Sequence, residues 1–411
     1  MIRQKGWHMA NIIVKGREKR TNKFAGIIYV STILLSILFI YFGNQIASKD
    51  MTAFNSTDKM RVEKAQITEI VKIVEQTESL GDATSVLIKD VLFKAEMLSG
   101  VDEGSSVNGV QNINSYFKAT PKEVAIGDKI IMYQMPSDLY DADWVYGEYM
   151  RTDGLIILGI IFAVLLVLFG RLKGLQTLLS MTFTILAIFL VFIPAILSGY
   201  NIYLWTMIIC LFVTIMSLTI VSGVNLKTLA ASIGCFFGIG FSAILVVITD
   251  HFLKLTGVVD EDSIYLLLMN PDQPIDLKGI FFGAIVIGCM GALLDVSMSI
   301  SAALYEIKAN YSANTFTQIV SSGMTIGRDT IGTMANTLIL AYIGSSLSIV
   351  LLLITYNPSM LDLLNREMVV IEIMQAIIGS LGILLTVPLT SMAAGLLFAT
   401  GPDSSRLRNK V

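Results

Sequence analysis

Long apolar stretches separated by short polar ones dominate the chain. A membrane helix needs about 20 apolar residues to cross a hydrocarbon core roughly 30 Å thick. Stretches of that kind fall at 24–46, 154–169, 175–197, 202–221, 229–249, 279–304, 331–355 and 368–399. They predict an α-helical integral membrane protein with about eight transmembrane helices. The 154–169 stretch is short enough to require an upright helix. The 368–399 stretch is long enough to tilt, and Pro388 within it removes one helix hydrogen bond.

The pattern changes between the first two spans. Residues 47–153 are polar with short apolar runs, and the interval is long enough to fold alone. Residues 90–99 read as a strand. Gly127-Asp128 separates two short apolar runs in 123–133, a hairpin signal. In 61–75, Ile67, Ile70, Val71 and Val74 have helical spacing, but the density of Val and Ile favours strand. The prediction is a small β-rich domain inserted after the first helix, serving either as a spacer and assembly surface or as a capture module for substrate or cell wall.

Composition agrees with the hydropathy pattern. The chain has 411 residues, 54% of them hydrophobic and only 15% charged, with mean hydropathy +0.71. Soluble domains run near 25% charged. Loop charge sets the direction of threading. The N-terminal tail, 1–23, holds Arg3, Lys5, Lys15, Arg17, Lys19, Arg20 and Lys23. Eight spans then place Arg171, Lys173, Lys227, Lys308, Arg328, Arg406, Arg408 and Lys410 on the same side. The opposite short loops hold only Lys254, Lys278 and Arg366. Both termini, 1–23 and 400–411, are therefore expected in the cytoplasm, with 47–153 outside and 154–399 as a seven-span membrane domain. The first apolar run exceeds a secretory h-region and predicts an uncleaved anchor at 24–46.

Charge inside the spans is where chemistry is to be sought. A charged side chain at the centre of a membrane helix costs about 2.5–3.5 kcal/mol on insertion scales. In the sixth span, Gly288, Gly291, Ala292, Asp295, Ser299, Ala302 and Glu306 recur at three- and four-residue intervals and share one face. Small residues Gly288, Gly291 and Ala292 on that face, with Gly332 on the following span, predict close approach of helices. Asp295 lies about 13 Å from the inner end of that span. In the next span Asp329, Gly332, Thr333, Asn336 and Leu340 share a face, with Asn336 about 12 Å above Arg328. Asp295 and Asn336 are thus expected at matching depth, hydrogen-bonded or lining one polar pocket. Glu306 and Arg328 are expected to pair near the inner surface, leaving Asp329 for another group. Ser297 and Ser301 point off the stripe and are expected to bond their own helix backbone.

Two further features bear on the pathway. Residues 305–330 carry Phe316, Ile319, Val320 and Met324 at helical spacing. That spacing suits an amphipathic helix on the inner surface or a broken helix dipping into the membrane. Thr386, Pro388, Thr390 and Ser391 form a polar break in the last span, of the kind that lines transporter sites when unwound.

Several chemistries lack their residues. Cys210, Cys235 and Cys289 are isolated in apolar spans, and no CxxC occurs. GxxxxGK[ST], HExxH and GxSxG are absent, and the histidines are His8 and His251. Asp295 and Asp329 are expected at different depths, too far apart for a shared-proton aspartyl pair. The expectation is no enzyme, no cofactor, no metal site and no nucleic-acid partner. The bilayer is the environment, and a second copy or a membrane partner subunit is a candidate associate.

Four segments resemble a known family. They are Gly170-Arg171-Leu172-Lys173-Gly174, Val221-Ser222-Gly223-Val224-Asn225, Gly291-Ala292-Leu293-Leu294-Asp295-Val296-Ser297-Met298-Ser299-Ile300, and Ser322-Gly323-Met324-Thr325-Ile326-Gly327-Arg328-Asp329. The last continues through Gly332-Thr333-Met334-Ala335-Asn336-Thr337. From about residue 47 onward the chain resembles a YibE/F-type multi-spanning membrane protein. That resemblance implies a bacterial inner-membrane or plasma-membrane protein of a kind described as a predicted permease. The functional expectation is a permease or secondary-transporter-like component with Asp295 in its pathway. The alternative is a non-transporting scaffold or envelope assembly factor acting through 47–153.

Overall fold

A computed structural model describes residues 26–49, 61–79, 85–114, 122–135, 142–259, 261–268, 274–310, 315–356 and 359–399. The basic termini lie outside these residues. The chain divides into two compact units, Asn55–Leu165 and Met1–Phe54 with Leu166–Val411.

The smaller unit is a closed five-stranded barrel. Its strands are β1 (Val62–Ser79), β2 (Ser85–Met97), β3 (Ser106–Asn114), β4 (Lys129–Gln134) and β5 (Trp144–Tyr149), in the order β1-β2-β3-β5-β4. All neighbouring pairs are antiparallel except β3 and β5, which run parallel through Gly109 opposite Trp144 and Val110 opposite Val145. That order and that single parallel pair are those of an OB-type barrel. β1 pairs with β2 along most of its length and with β4 at its start. Two register shifts, at Ile67/Glu69 and Ile70/Lys72, let it turn the barrel corner. Alternate side chains point inward, so Ala65, Ile67, Val91, Phe93, Ala95, Met97, Ile113, Ile130, Met132 and Trp144 form the core. At Gly109 an added Cβ would lie 2.7 Å from both Phe93 and Met132, so only glycine fits there.

The β-rich expectation holds, and 61–75 is strand. The hairpin expected in 123–133 does not form. Residues 122–125 are not strand. Gln111, fully buried, accepts from the Val124 amide at 2.9 Å and donates to the Lys122 carbonyl at 3.1 Å. Tyr149 donates its hydroxyl to the Lys122 and Glu123 carbonyls. Gly127, at φ +90°, then donates to the Ile67 carbonyl of β1. The side-chain bonds take up backbone groups that a hairpin partner would otherwise satisfy.

The larger unit is helical. The helical elements are α1 (Gly26–Ala47), α2 (Thr152–Ala187), a π-helical turn (Ile188–Phe192), α3 (Ile193–Leu197), α4 (Ile202–Ser222), α5 (Leu226–Leu253), α6 (Glu261–Leu268), α7 (Leu277–Asn310), α8 (Phe316–Tyr356), α9 (Met360–Asn365) and α10 (Glu367–Ala399), of which α2 starts in the smaller unit, whose last residue is Leu165, and runs on into the larger. Among the described residues, six helices are long and apolar enough to cross a membrane: Gly26–Ala47, Thr152–Leu197, Ile202–Ser222, Leu226–Leu253, Leu277–Asn310 and Glu367–Ala399. Thr152–Leu197 contains both the second and third predicted spans, on either side of Arg171, whose φ of 50° and ψ of −129° break the helix. The seventh predicted span falls in α8, which is not among the six.

Local chemistry explains the breaks. Gly223 at φ 72° ends α4, and Asn225 caps α5 by accepting from the Thr228 amide at 3.0 Å. Lys173, just past the Arg171 break, donates to the Val221 carbonyl. The GRLKG and VSGVN segments are therefore two tied turns. The π-turn alters the local carbonyl ladder, and Asn44 of α1 donates to the Leu190 carbonyl at 2.6 Å. Phe39 stacks on Phe212 with ring centroids 4.0 Å apart.

α10 sits among α5, α7 and α8, and glycines set these contacts. Gly234 and Gly238 of α5 face Thr390 and Thr386 of α10, and Ser242 faces Gly382. Gly323 and Gly327 of α8 face Ser391 and Val387, and Leu338 faces Gly379. In both pairings rising numbers on one helix meet falling numbers on α10, so α5 and α8 run antiparallel to it.

Two expectations are corrected here. Residues 316–330 neither lie on the surface as a separate helix nor break within the membrane. They are the first turns of the continuous α8, held to α10 through Gly323 and Gly327. Residues around Pro388 are not unwound either. α10 remains one helix, Thr386 bonds the Gly382 carbonyl at 2.9 Å, and Ser391 bonds Val387 at 2.7 Å. Pro388 removes only the one bond its N–H would have made to the Leu384 carbonyl, and the turns on either side continue.

Candidate functional site

α7 buries one face and exposes another. Phe282, Ile285, Cys289, Leu293, Val296, Ile300 and Leu304 recur at helical spacing and are buried against neighbouring helices. The opposite stripe, Ala284, Gly288, Gly291, Asp295, Ser299 and Glu306, is exposed. The shared face expected for these residues therefore exists, but it points away from the packed core. Bulky apolar side chains, not the small ones, won the contact with neighbouring helices.

Gly288 is the exception on the stripe. An added Cβ there would meet the Tyr342 hydroxyl at 3.1 Å and the Gln375 amide nitrogen at 3.3 Å, so α8 and α10 approach α7 closely at that level. Leu304 meets Gly323 further along. α7 and α8 are thus antiparallel, and Asp295 is level with the turn around Gly332 and Thr333. Around Gly291 and Gly332 an added Cβ would meet nothing within 4 Å. Ala292 is half-buried at the edge of the core.

On α8 the face opposite Gly323, Gly327 and Leu338 carries Thr325, Arg328, Asp329, Gly332, Thr333 and Asn336, all exposed. Asp295 and Asn336 are at comparable depth, yet no hydrogen bond joins them among the described residues. Glu306 and Arg328 do not pair there either, and Asp329 has no ion-pair partner. Each carboxylate projects from an exposed helix face, and the glycines beside them leave open space rather than contact.

The second-tier residues are placed differently. Thr386 and Thr390 are fully buried between α5 and α10, and the Thr390 hydroxyl has no hydrogen-bond partner. Pro388 lies between them inside α10. Ser297 bonds its own helix at the Leu294 carbonyl, 2.9 Å. Ser301 instead donates to the Lys227 carbonyl at the start of α5, 2.7 Å. Glu372, half-buried, lines a largely apolar crevice of about 470 Å³ between α8 and α10 with Tyr342 and Ser346. Among the described residues, no cluster of three or more His, Cys, Asp or Glu forms that could hold a metal ion.

A model of the family described as YibE/F-like protein matches residues 158–400. The chain belongs to the YibE/F-like family. The matched region holds α4, α5, α7, α8 and α10, so the YibE/F-like part is the helical bundle with its exposed α7 and α8 stripes. Comparison with curated proteins and with solved structures gave no match.

Some features of this YibE/F-like bundle went unread in the sequence. Gly234 and Gly238 form a GxxxG spacing on α5 that signals a close helix pair. Glu367 accepts from the Thr256 amide at 2.6 Å, from the Thr256 hydroxyl at 2.8 Å and from the Gly257 amide. These residues are about 110 positions apart in sequence, and no local signal links them.

Proposed function

We propose that this YibE/F-like protein is a permease or secondary-transporter-like component of the bacterial plasma membrane. In this reading it has eight spans and both termini in the cytoplasm, and Asp295 is the proton- or cation-linked carboxylate. The observation that supports it is the state of Asp295. It is a carboxylate within an apolar membrane helix, with no hydrogen-bond or ion-pair partner among the described residues, on the exposed face of α7 one turn from the open space around Gly291. A group placed there purely as interhelical glue would be spent on a partner. An unspent carboxylate is free to take and release a proton or cation as a substrate passes. Arg328, Asp329, Asn336, Ser299 and Glu306 extend the same polar surface along α7 and α8.

The test is proton or sodium flux in proteoliposomes, wild type against Asp295→Asn, with folding checked by elution profile. Flux that disappears in the well-folded variant supports the reading. Flux that is unchanged in Asp295→Asn removes Asp295 from it.

A second reading rests on the barrel. OB-type barrels are widely used as binding modules, which suits a scaffold or envelope assembly factor acting through 47–153. Loss of function on barrel deletion, with Asp295→Asn silent, would favour it.

A further inference from the structure

Arg328 and Asp329 lie deeper than loop-charge counting places them. Gly327, directly before them, packs on Val387, and Gly323 packs on Ser391. α10 runs from Glu367 to Ala399 and is a candidate span over its length. At 1.5 Å per residue, the antiparallel register sets Arg328 and Asp329 within about 5 Å of the middle of α10. A hydrocarbon half-thickness of about 15 Å therefore leaves both charges at membrane depth. Both are exposed, and neither has an ion-pair partner among the described residues. A charged pair in this position needs cover from protein or from a water-filled cavity.

We propose that the cover is a second copy of this chain, docked on the α8 face that holds Thr325, Arg328, Asp329, Gly332 and Asn336. The charges themselves point to a like partner. A two-fold axis along the membrane normal keeps every residue at its own depth. Arg328 and Asp329 are adjacent, so their depths differ by only about 1.5 Å. Such an axis therefore brings Arg328 beside the partner's Asp329, and Asp329 beside the partner's Arg328. Two ion pairs form from one patch meeting itself, which is the self-complementarity an isologous interface requires. Gly332 adds the clearance, since nothing of its own chain lies within 4 Å of an added Cβ. Thr325, Thr333 and Asn336 supply hydrogen-bonding groups around the charges. This proposal rests on the exposed α8 face and is independent of whether Asp295 conducts.

The test joins cross-linking to charge exchange. In a chain with Cys210→Ala, Cys235→Ala and Cys289→Ala, the changes Thr325→Cys and Gly332→Cys are each introduced and native membranes are oxidised. Disulfide-linked dimers are expected from both, and none from Phe237→Cys on the exposed side of α5. Arg328→Asp and Asp329→Arg are then made singly and together, and dimer content in lipid vesicles is counted by single-molecule photobleaching. Each single change is expected to weaken dimerisation at least tenfold, and the two together in one chain to restore it. Single-step bleaching of the wild type at every protein-to-lipid ratio would overturn the proposal. So would dimers indifferent to both exchanges, or cross-linking to a different protein in place of a second copy.

Discussion

Gly238 of α5 and Thr386 of α10 touch so closely that a methyl group at position 238 would overlap the Thr386 hydroxyl. Gly234 repeats the relationship against Thr390, one turn away. Lipid tails are as apolar as leucine side chains, so helices here gain little from the hydrophobic effect and rely on close packing.

That contact yields the first prediction. Gly238→Ala should lower the stability of the bundle by about 1–3 kcal/mol, the usual cost of overpacking a close contact. Gly240→Ala, two residues away with nothing within 4 Å of an added Cβ, should change little. Thermal unfolding of the two variants in the same detergent compares them directly.

Glu367 gives the second. Its carboxylate holds the amides of Thr256 and Gly257 as well as the Thr256 hydroxyl. Hydrogen bonds to a charged group contribute about 1.5–3 kcal/mol, so Glu367→Ala should speed exchange of those two amides roughly ten- to hundredfold. Hydrogen exchange by mass spectrometry on the segment after α5 reads this, and unchanged protection would deny the clamp.

The third concerns pH and the barrel. Burial, followed by the neighbouring Tyr149 and Glu148, pushes the Tyr146 hydroxyl up to about 12. Its model-peptide value is near 10. Between about pH 10 and 12 the unfolded chain releases this proton while the folded chain keeps it, so folding stability falls across that window. Tyr146→Phe should flatten the decline. Urea titrations followed by Trp144 fluorescence, with Trp7→Phe and Trp205→Phe, would measure it.

How far the residues alone disclose this architecture differs from element to element. Val and Ile density in 61–75 and 90–99 announces strands because β-branched side chains suit a pleated, half-buried surface. The parallel pairing of Gly109 with Trp144 is a contact between distant segments, and no periodicity encodes it. On α7, spacing correctly groups Gly291, Asp295 and Ser299 on one face. It does not say which face meets the core, since a small-residue stripe and a bulky apolar stripe are both packing surfaces. Leu293 and Ile300 took the contacts in α7, while the small-residue role went to Gly234 and Gly238. Arg328 reads as an inner-boundary residue because it stands just before the apolar run at 331–355. The contact of Gly327 with Val387 shows the helix beginning well before that run.

Asn44 and Leu190 are separated by 146 positions. A ribosome working at about 5–20 residues per second needs roughly 7–30 s to make that interval. α1 is therefore made long before the carbonyl that receives its Asn44 amide exists. In the meantime the intervening strands are synthesised in full, so the barrel can close first. The π-turn after α2 then completes a docking position for a helix already waiting in the bilayer. The bond from Asn44 to Leu190 therefore cannot form until the chain has been made through the barrel and α2.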